Sequence, residues 1–215
     1  MAITQTNGPP DGVDVVRQGL VRFATLSDGI PTDSSAAVAA VSGAARRAAG
    51  GPQVDLFHPV YDLDGADVAK GRNLDAAALI GFRYIVGSGT GQLSAAEVRG
   101  NATHSAAGMT MTMQIYGSYA DTLKRSLAEV ERLPAVASGT YEFRVLHCRA
   151  IFLVALWLKG AQGAPDILWP LPPAPREFRP DHPYSGAEFM DIARPLVQAR
   201  IAAHAAFVEG KPYGD

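Results

Sequence analysis

The spacing of apolar side chains predicts two helices near the start of the chain. Val13, Val16, Leu20 and Phe23 recur every three or four residues, which is the period of one helix face. A turn sequence after residue 27 ends this helix. The alanine-rich residues 35–49 have high helix propensity but little bulk to bury. They predict a second helix that leans on the first or on a partner chain, so that the two form an N-terminal helical pair.

The clearest strand signal lies in the second half of the chain. Apolar and polar residues alternate over residues 140–147, which is the pattern of a strand with one buried face. Residues 151–158 are apolar on both parities and predict a central strand, although periodicity alone also permits a helix. A turn follows, and the apolar pattern resumes over residues 166–171. We predict that these three segments pair in this order at the centre of a sheet.

Further elements come before this sheet centre. Residues 79–86 and 93–98 have strand-like patterns and are joined by a glycine-rich tip, residues 87–91, which predicts a hairpin. The methionines of residues 109–113 alternate with threonine and predict another strand, with core filling as the favoured role and a binding surface as the alternative. An amphipathic helix is predicted over residues 119–130.

The C-terminal part predicts a proline-rich connection and a last helix. Residues 172–183 contain five prolines and predict an extended segment. Ser185 is the expected N-cap, and Pro195 should restart or kink the helix. The whole order predicts an α+β fold with a mostly antiparallel sheet and one inserted helix. We divide it into a helical segment, residues 1–53, and an α+β body, residues 54–215, which together form one continuous domain.

Composition and charge exclude several classes of protein. The 215 residues include 19 Lys and Arg against 21 Asp and Glu, so a basic surface for nucleic acid is not expected. The single cysteine excludes an internal disulfide and fits a reducing, cytoplasmic location. The first ten residues lack the pattern of a secretory signal. The longest apolar run, Ala150–Leu158, is shorter than the roughly 20 residues that span a bilayer, so we expect no membrane insertion.

Two aspartates give the first candidate chemistry. They lie in residues 52–73, which predict a short strand or an ordered loop. Asp62-Leu63-Asp64-Gly65 resembles the first motif of the haloacid-dehalogenase-type phosphatases. That resemblance implies that Asp62 is a nucleophile and Asp64 a general acid, and two carboxylates at this spacing also suit a hard cation. Pro59 argues against a central strand before them, and no later acidic pair completes a magnesium site. We therefore favour an Asp/Gly turn.

The single cysteine gives the second candidate chemistry. Cys148 follows His147 in a predicted strand, so the two side chains lie on opposite faces and cannot act on each other. We predict that His147 lies on the apolar face as a core residue. As the nucleophile of a hydrolase, Cys148 would need a distant histidine from the set His58, His104, His182 and His204. A buried cysteine that packs as a small hydrophobic residue is the favoured interpretation.

No motif predicts a cofactor or a metal. Gly87-Ser88-Gly89-Thr90-Gly91 follows a strand, but it lacks the lysine of a phosphate loop and no helix follows it. The histidines and the cysteine do not occur at compact metal-ligand spacings. We therefore assign neither a cofactor nor a metal ligand to this chain.

Taken together, these patterns favour a non-enzymatic interaction or structural protein. We expect it to act as one subunit of a larger homo- or hetero-oligomer, with protein partners or copies of itself. The alternatives are a hydrolase that uses Cys148 with a histidine such as His182, and an α+β protein that binds a small ligand. Asp62 and Asp64 are the remaining candidate catalytic residues.

Overall fold

The computed structural model describes residues 3–4, 8–9, 11–27, 53–87, 93–99, 110–115 and 118–208. The chain forms two compact units. The first unit contains Met1–Thr4, Val60–Leu79 and Arg125–Asp215, and the second contains Gln5–Pro59 and Ile80–Lys124. The predicted division at residue 53 stays a prediction, because most of residues 1–53 lie outside the described part.

The described residues contain nine strands and five helices, which confirms the α+β class. The strands are β1 (Ile3–Thr4), β2 (Gln53–Asp62), β3 (Ala78–Gly87), β4 (Leu93–Arg99), β5 (Thr110–Ile115), β6 (Tyr141–Cys148), β7 (Leu153–Gly160), β8 (Ile167–Pro170) and β9 (Tyr184–Ser185). The helices are α1 (Gly12–Ser27), α2 (Gly65–Ala69), α3 (Ser118–Val130), α4 (Pro134–Ser138) and α5 (Gly186–Val208). None of these helices has the length and apolar character needed to cross a bilayer.

The sheet of the first unit has the strand order β2-β6-β7-β8-β9. β6 runs antiparallel to β7, β7 to β8, and β8 to β9. The predicted pairing of the three apolar segments is therefore confirmed. The end of β2 pairs with β6 in the parallel sense, and so does the short strand β1. This parallel pairing was not expected from the sequence.

One face of this sheet carries the main core of the first unit. Apolar residues of β6 and β7 pack there against α2 and the first half of α5, and the core includes Leu146, Cys148, Leu153, Phe189 and Val197. Ser185 and Glu188 start α5 with reciprocal hydrogen bonds. The Ser185 amide donates to the Glu188 carboxylate at 2.9 Å, and the Glu188 amide donates to the Ser185 hydroxyl at 3.3 Å. The predicted N-cap is therefore confirmed.

The second unit is built on the strand order β5-β4-β3-β2. β3 and β4 are antiparallel and form the predicted hairpin, and β5 pairs antiparallel with β4. Helix α1 buries Val16 and Leu20. A Cβ atom added at Gly19 would lie 2.6 Å from the sulfur of Met111, so the missing side chain lets α1 approach β5 closely. Met111 is half-buried and adjoins α1, so the choice between core filling and a binding surface stays a prediction.

Two predicted features of the β6–β7 region are wrong in detail. Residues 149–151 form a 3₁₀ turn, so Ile151 is not the start of a strand, and Phe152 has a left-handed backbone, with φ 54° and ψ 34°. The tight connection between the antiparallel strands β6 and β7 takes these residues out of the strand pairing. Val154 is only half-buried, so β7 is not covered twice along its whole length.

Two expectations about proline also need correction. Pro59 lies inside β2, a ten-residue strand with a neighbour on each side, whereas the proline predicts that no central strand lies here. The parallel register with β6 begins at Val60, so Pro59 donates no hydrogen bond that this ladder needs. Pro195 does not restart the last helix, because α5 continues through it to Val208. A kink at this proline stays a prediction. The second predicted helix, residues 35–49, and the glycine-rich residues 88–91 lie outside the described residues.

Candidate functional site

The candidate aspartates lie at the carboxyl end of β2. Because β2 and β6 are parallel, their carboxyl ends reach the same edge of the sheet. Asp62 is the register partner of His147, and the amide of Leu63 donates to the carbonyl oxygen of His147 at 2.8 Å. In-register residues of parallel strands point to the same face. The fold therefore brings Asp62 beside His147, a pairing of residues 85 positions apart in the chain.

Both aspartates are already engaged by groups of the protein. The Asp62 carboxylate lies 3.2 Å from Nε of Arg149. The Asp64 carboxylate accepts hydrogen bonds from the amides of Ala66 at 2.7 Å and Asp67 at 3.3 Å, and so caps α2. The expected Asp/Gly turn is therefore the start of a short helix. Asp64 acts as a helix cap in this structure, and Asp62 pairs with a cation that the sequence analysis did not single out.

Cys148 is placed where a thiol is a poor nucleophile. It is 1% exposed and lies in the core of the first unit, among Leu146 and Leu153. Burial, together with the nearby charges of Asp62 and Asp64, raises the pKa of the Cys148 thiol to about 11. About one thiol in ten thousand is ionised at pH 7 with such a pKa. The arrangement favours a packing role over nucleophilic chemistry.

The structure does not bring His182 to the cysteine. His182 is exposed and makes an edge contact with Tyr184, with the ring centroids 4.9 Å apart. It lies in the segment that leads into β9. Strand β9 is three strands from β6, which corresponds to about 14 Å at the normal spacing of strands. Cys148 and the aspartates therefore meet at one sheet edge, whereas His182 belongs to a different part of the unit.

Tyr61 on β2 and Trp157 on β7 form an aromatic pair, with their ring centroids 5.3 Å apart. The Arg144 guanidinium lies 4.6 Å from the ring centroid of Tyr61 and 4.9 Å from that of Trp157. The same guanidinium donates to Glu142 at 2.6 Å. Two aromatic rings in this arrangement can bind a cation, but here the protein's own Arg144 occupies that position. Within the part of the chain that the structure describes, no group of three or more His, Cys, Asp or Glu is placed to hold a metal ion.

The second unit contains a buried ionic cluster that the sequence analysis missed. Arg83 on β3 and Glu97 on β4 are direct cross-strand partners and are 2% and 1% exposed. Arg83 donates to Glu97 and, at 2.6 Å, to the hydroxyl of Tyr119. Glu97 also accepts from Nε of Arg99 at 3.1 Å. The signal that could have indicated this cluster is the pair of opposite charges at matching positions of the predicted hairpin. The buried charges of the cluster engage each other and Tyr119, so the cluster has the character of a structural core.

A more open surface adjoins the turn after β6. Phe152 is 75% exposed, and the Arg200 guanidinium of α5 lies 5.4 Å from its ring centroid. The first half of α5 is packed against the unit through Phe189, Met190, Ala193 and Val197. From residue 198 to residue 208, every residue is exposed except the half-buried Ala203 and Ala206. The helix therefore continues beyond the core that it covers.

This exposed half of α5 keeps the apolar face of the buried half. At 3.6 residues per turn, the buried Met190 and Val197 are followed on the same side by Ile201, His204 and Val208. Phe207 flanks that line and is 67% exposed, while Val208 is 70% exposed. We call the exposed side chains of Phe152, Ile201, Phe207 and Val208 the α5 surface. Large apolar side chains grouped in this way, rather than scattered singly, are typical of contact surfaces.

Comparison with protein-family models, with curated proteins and with solved structures yields no match for this chain. The functional argument therefore depends on the geometry alone.

Proposed function

We propose that this protein is a non-enzymatic structural or interaction subunit of a larger homo- or hetero-oligomeric assembly. The α5 surface is the single observation that carries this proposal. Its two phenylalanines and two aliphatic residues are exposed on the last half of this helix and on the neighbouring turn. Burying such side chains against a partner would stabilise an assembly by about 25 cal/mol for each Å² of apolar area removed from water.

The chemistry of the candidate catalytic residues supports the same choice. Cys148 is buried with a raised pKa, Asp64 caps a helix and Asp62 pairs with Arg149. A hydrolase that used Cys148 would need an accessible thiol with a lowered pKa and a base beside it. Neither the hydrolase alternative nor the small-ligand alternative is favoured by a contact among the described residues.

We assign the subunit to the cytoplasm, with protein partners or copies of itself and without nucleic acid. The single cysteine and the nearly balanced charge support this assignment.

The test is the molar mass of the full chain in solution, measured by light scattering over a range of concentrations. We expect a mass above the 22.6 kDa of one chain, and a return toward it when Phe207→Asp is introduced. Ala199→Asp is the matched control, because Ala199 is exposed on the opposite side of α5 and should leave the mass unchanged. A wild-type mass of 22.6 kDa at every concentration would overturn the homomeric form of the proposal.

A further inference from the structure

We infer that the α5 surface binds the α5 surface of a second copy, with the two helices antiparallel about a two-fold axis near His204. In this arrangement Phe207 and Val208 of each copy meet Phe152 and Ile201 of the other. The inference rests on the proposed function and names the partner. It follows from how the apolar side chains are distributed along the helix, from the position of the charges and from the exposed area.

The apolar side chains form two groups at the two ends of the exposed half-helix. Phe152 lies against Arg200, so it belongs to the same level of α5 as Ile201. Phe207 and Val208 form the other group. Seven residues separate Ile201 from Val208, which is about 10.5 Å along the helix axis. The midpoint between the two groups is at His204, on the same side of the helix.

A two-fold axis requires that each surface be complementary to itself. When one residue contacts a second across the axis, the second contacts the first in return. An axis at His204 places each apolar group opposite the other group of the second copy. Residues three and four positions from His204 share its side of the helix, so Arg200 and Ile201 precede it on the contact face and Phe207 and Val208 follow it.

The charges favour antiparallel helices over parallel ones. Arg200 is the one charged residue between residues 198 and 208, with histidine counted as neutral. Parallel helices would place the two Arg200 side chains opposite each other and would align the helix dipoles unfavourably. With an antiparallel pair centred on His204, the two Arg200 positions are about 12 Å apart along the axis. This distance exceeds the Debye length of about 8 Å at physiological salt.

The exposed area fits a weak dimer. Phe152 and Phe207 are 75% and 67% exposed, which corresponds to about 280 Å² together for side chains of about 200 Å² each. Ile201 and Val208 add a smaller area, because they are smaller side chains that are 41% and 70% exposed. Stable interfaces of ordinary size bury about 800 Å² on each partner. The α5 surface is smaller than that, so we expect a dimer that dissociates on dilution.

A cysteine placed on the axis tests the geometry directly. In the full chain, His204→Cys should form a disulfide-linked dimer quickly under mild oxidation, because the two copies of residue 204 face each other. Ala199→Cys is the matched control on the far side of the helix and should cross-link at least tenfold more slowly. Cys148 is buried and is present in both variants. Equal rates for the two variants would overturn the proposed axis.

A pair of charge variants tests which residues meet across the axis. Phe152→Glu and Phe207→Lys should each weaken the dimer by about tenfold or more, as expected for interface anchors. Both positions are exposed, so circular dichroism should show an unchanged fold. When the two variants are mixed, a heterodimer should form, because it contains one Glu–Lys contact and one native contact. Replacing Phe207→Lys by Ala199→Lys in the mixture should abolish this preference.

The outcomes separate this inference from the proposed function. Suppose that the wild type is oligomeric and Phe207→Asp dissociates it, but His204→Cys does not cross-link and the mixed charge variants form no heterodimer. The assembly then uses another geometry, and only the antiparallel dimer is overturned. If the wild type stays at 22.6 kDa and His204→Cys does not cross-link, both the dimer and the homomeric form of the proposed function are overturned. If residues 198–208 of that monomer are protected from amide exchange, the α5 surface is covered by the chain itself and not by a second copy.

Discussion

Replacing Glu97→Gln should strongly destabilise the second unit. Glu97 is 1% exposed and accepts hydrogen bonds from two arginines, of which Arg83 is also buried. The substitution keeps the shape of the side chain and removes its charge. Arg83 then remains as a buried cation whose strongest partner is gone. Part of the charge that offsets the desolvation of this cation is then lost, and the folded state loses stability.

The size of this effect follows from the partners that remain. Removing one member of a buried ion pair costs about 3–5 kcal/mol. We expect about 3 kcal/mol, since glutamine keeps one acceptor and Arg83 still donates to Tyr119. Tyr119→Phe is the matched control, because it removes a neutral acceptor from the same guanidinium. It should cost about 1–2 kcal/mol.

Urea unfolding measures this difference. With a slope of about 2 kcal/mol per molar urea, Glu97→Gln should lower the unfolding midpoint by about 1.5 M at pH 7. The signal should come from a probe in the second unit, because two units need not unfold in one step. A midpoint shift for Glu97→Gln no larger than that for Tyr119→Phe would refute the reasoning. It would mean that the buried charge is compensated elsewhere.

The same pair should make stability depend on pH in the acid range. Burial acts to raise the pKa of Glu97, but the hydrogen bonds and charges of Arg83 and Arg99 outweigh it and hold the pKa below its ordinary value of 4.5. The stabilisation is therefore fully present above pH 4.5 and is lost as the pH falls through the lower, folded-state pKa. The difference between the wild type and Glu97→Gln should shrink in that window and should stay constant between pH 6 and pH 8.

Three other predictions test the first unit. Cys148 should resist thiol labelling in the folded protein at pH 7, because burial raises its pKa to about 11; fast stoichiometric labelling would instead favour the hydrolase alternative. Leu156→Asp should cost about 3 kcal/mol or more in chemical unfolding, and Val154→Asp clearly less, since Leu156 is fully buried and Val154 half-buried; equal costs would contradict the β7 register. Ser185→Ala should cost about 1 kcal/mol in thermal unfolding through loss of the α5 cap, and an unchanged midpoint would show that the cap is dispensable.

Local patterns in the sequence were enough for most of the longer elements and for the centre of the first unit's sheet. The alternation in β6, the apolar run of β7 and the turn before β8 led to the correct order of pairing. Short connections make antiparallel neighbours of consecutive strands, so local information is sufficient in such cases. The same reason made three other features predictable from the sequence: the end of α1, the inserted helix α3 and the Ser185 cap. Capping and periodicity act within a few residues.

The candidate site depended on contacts that no local pattern contains. The parallel pairing of β2 with β6 joins residues about 85 positions apart and sets Asp62 beside His147 and Arg149. Nothing in the 62–65 motif indicates that Asp62 has an arginine partner or that Asp64 caps a helix. The raised pKa of Cys148 likewise depends on which segments bury it.

The α5 surface shows the same division most clearly. Apolar residues recur on one side of this helix from Met190 to Val208, interrupted by His204, so the sequence alone indicated that this side is mainly apolar. Only the tertiary structure decided that this side is covered as far as Val197 and exposed beyond it. The physical reason is that periodicity reports the preference of side chains for an apolar contact. Whether the chain itself supplies that contact depends on where the packed body ends.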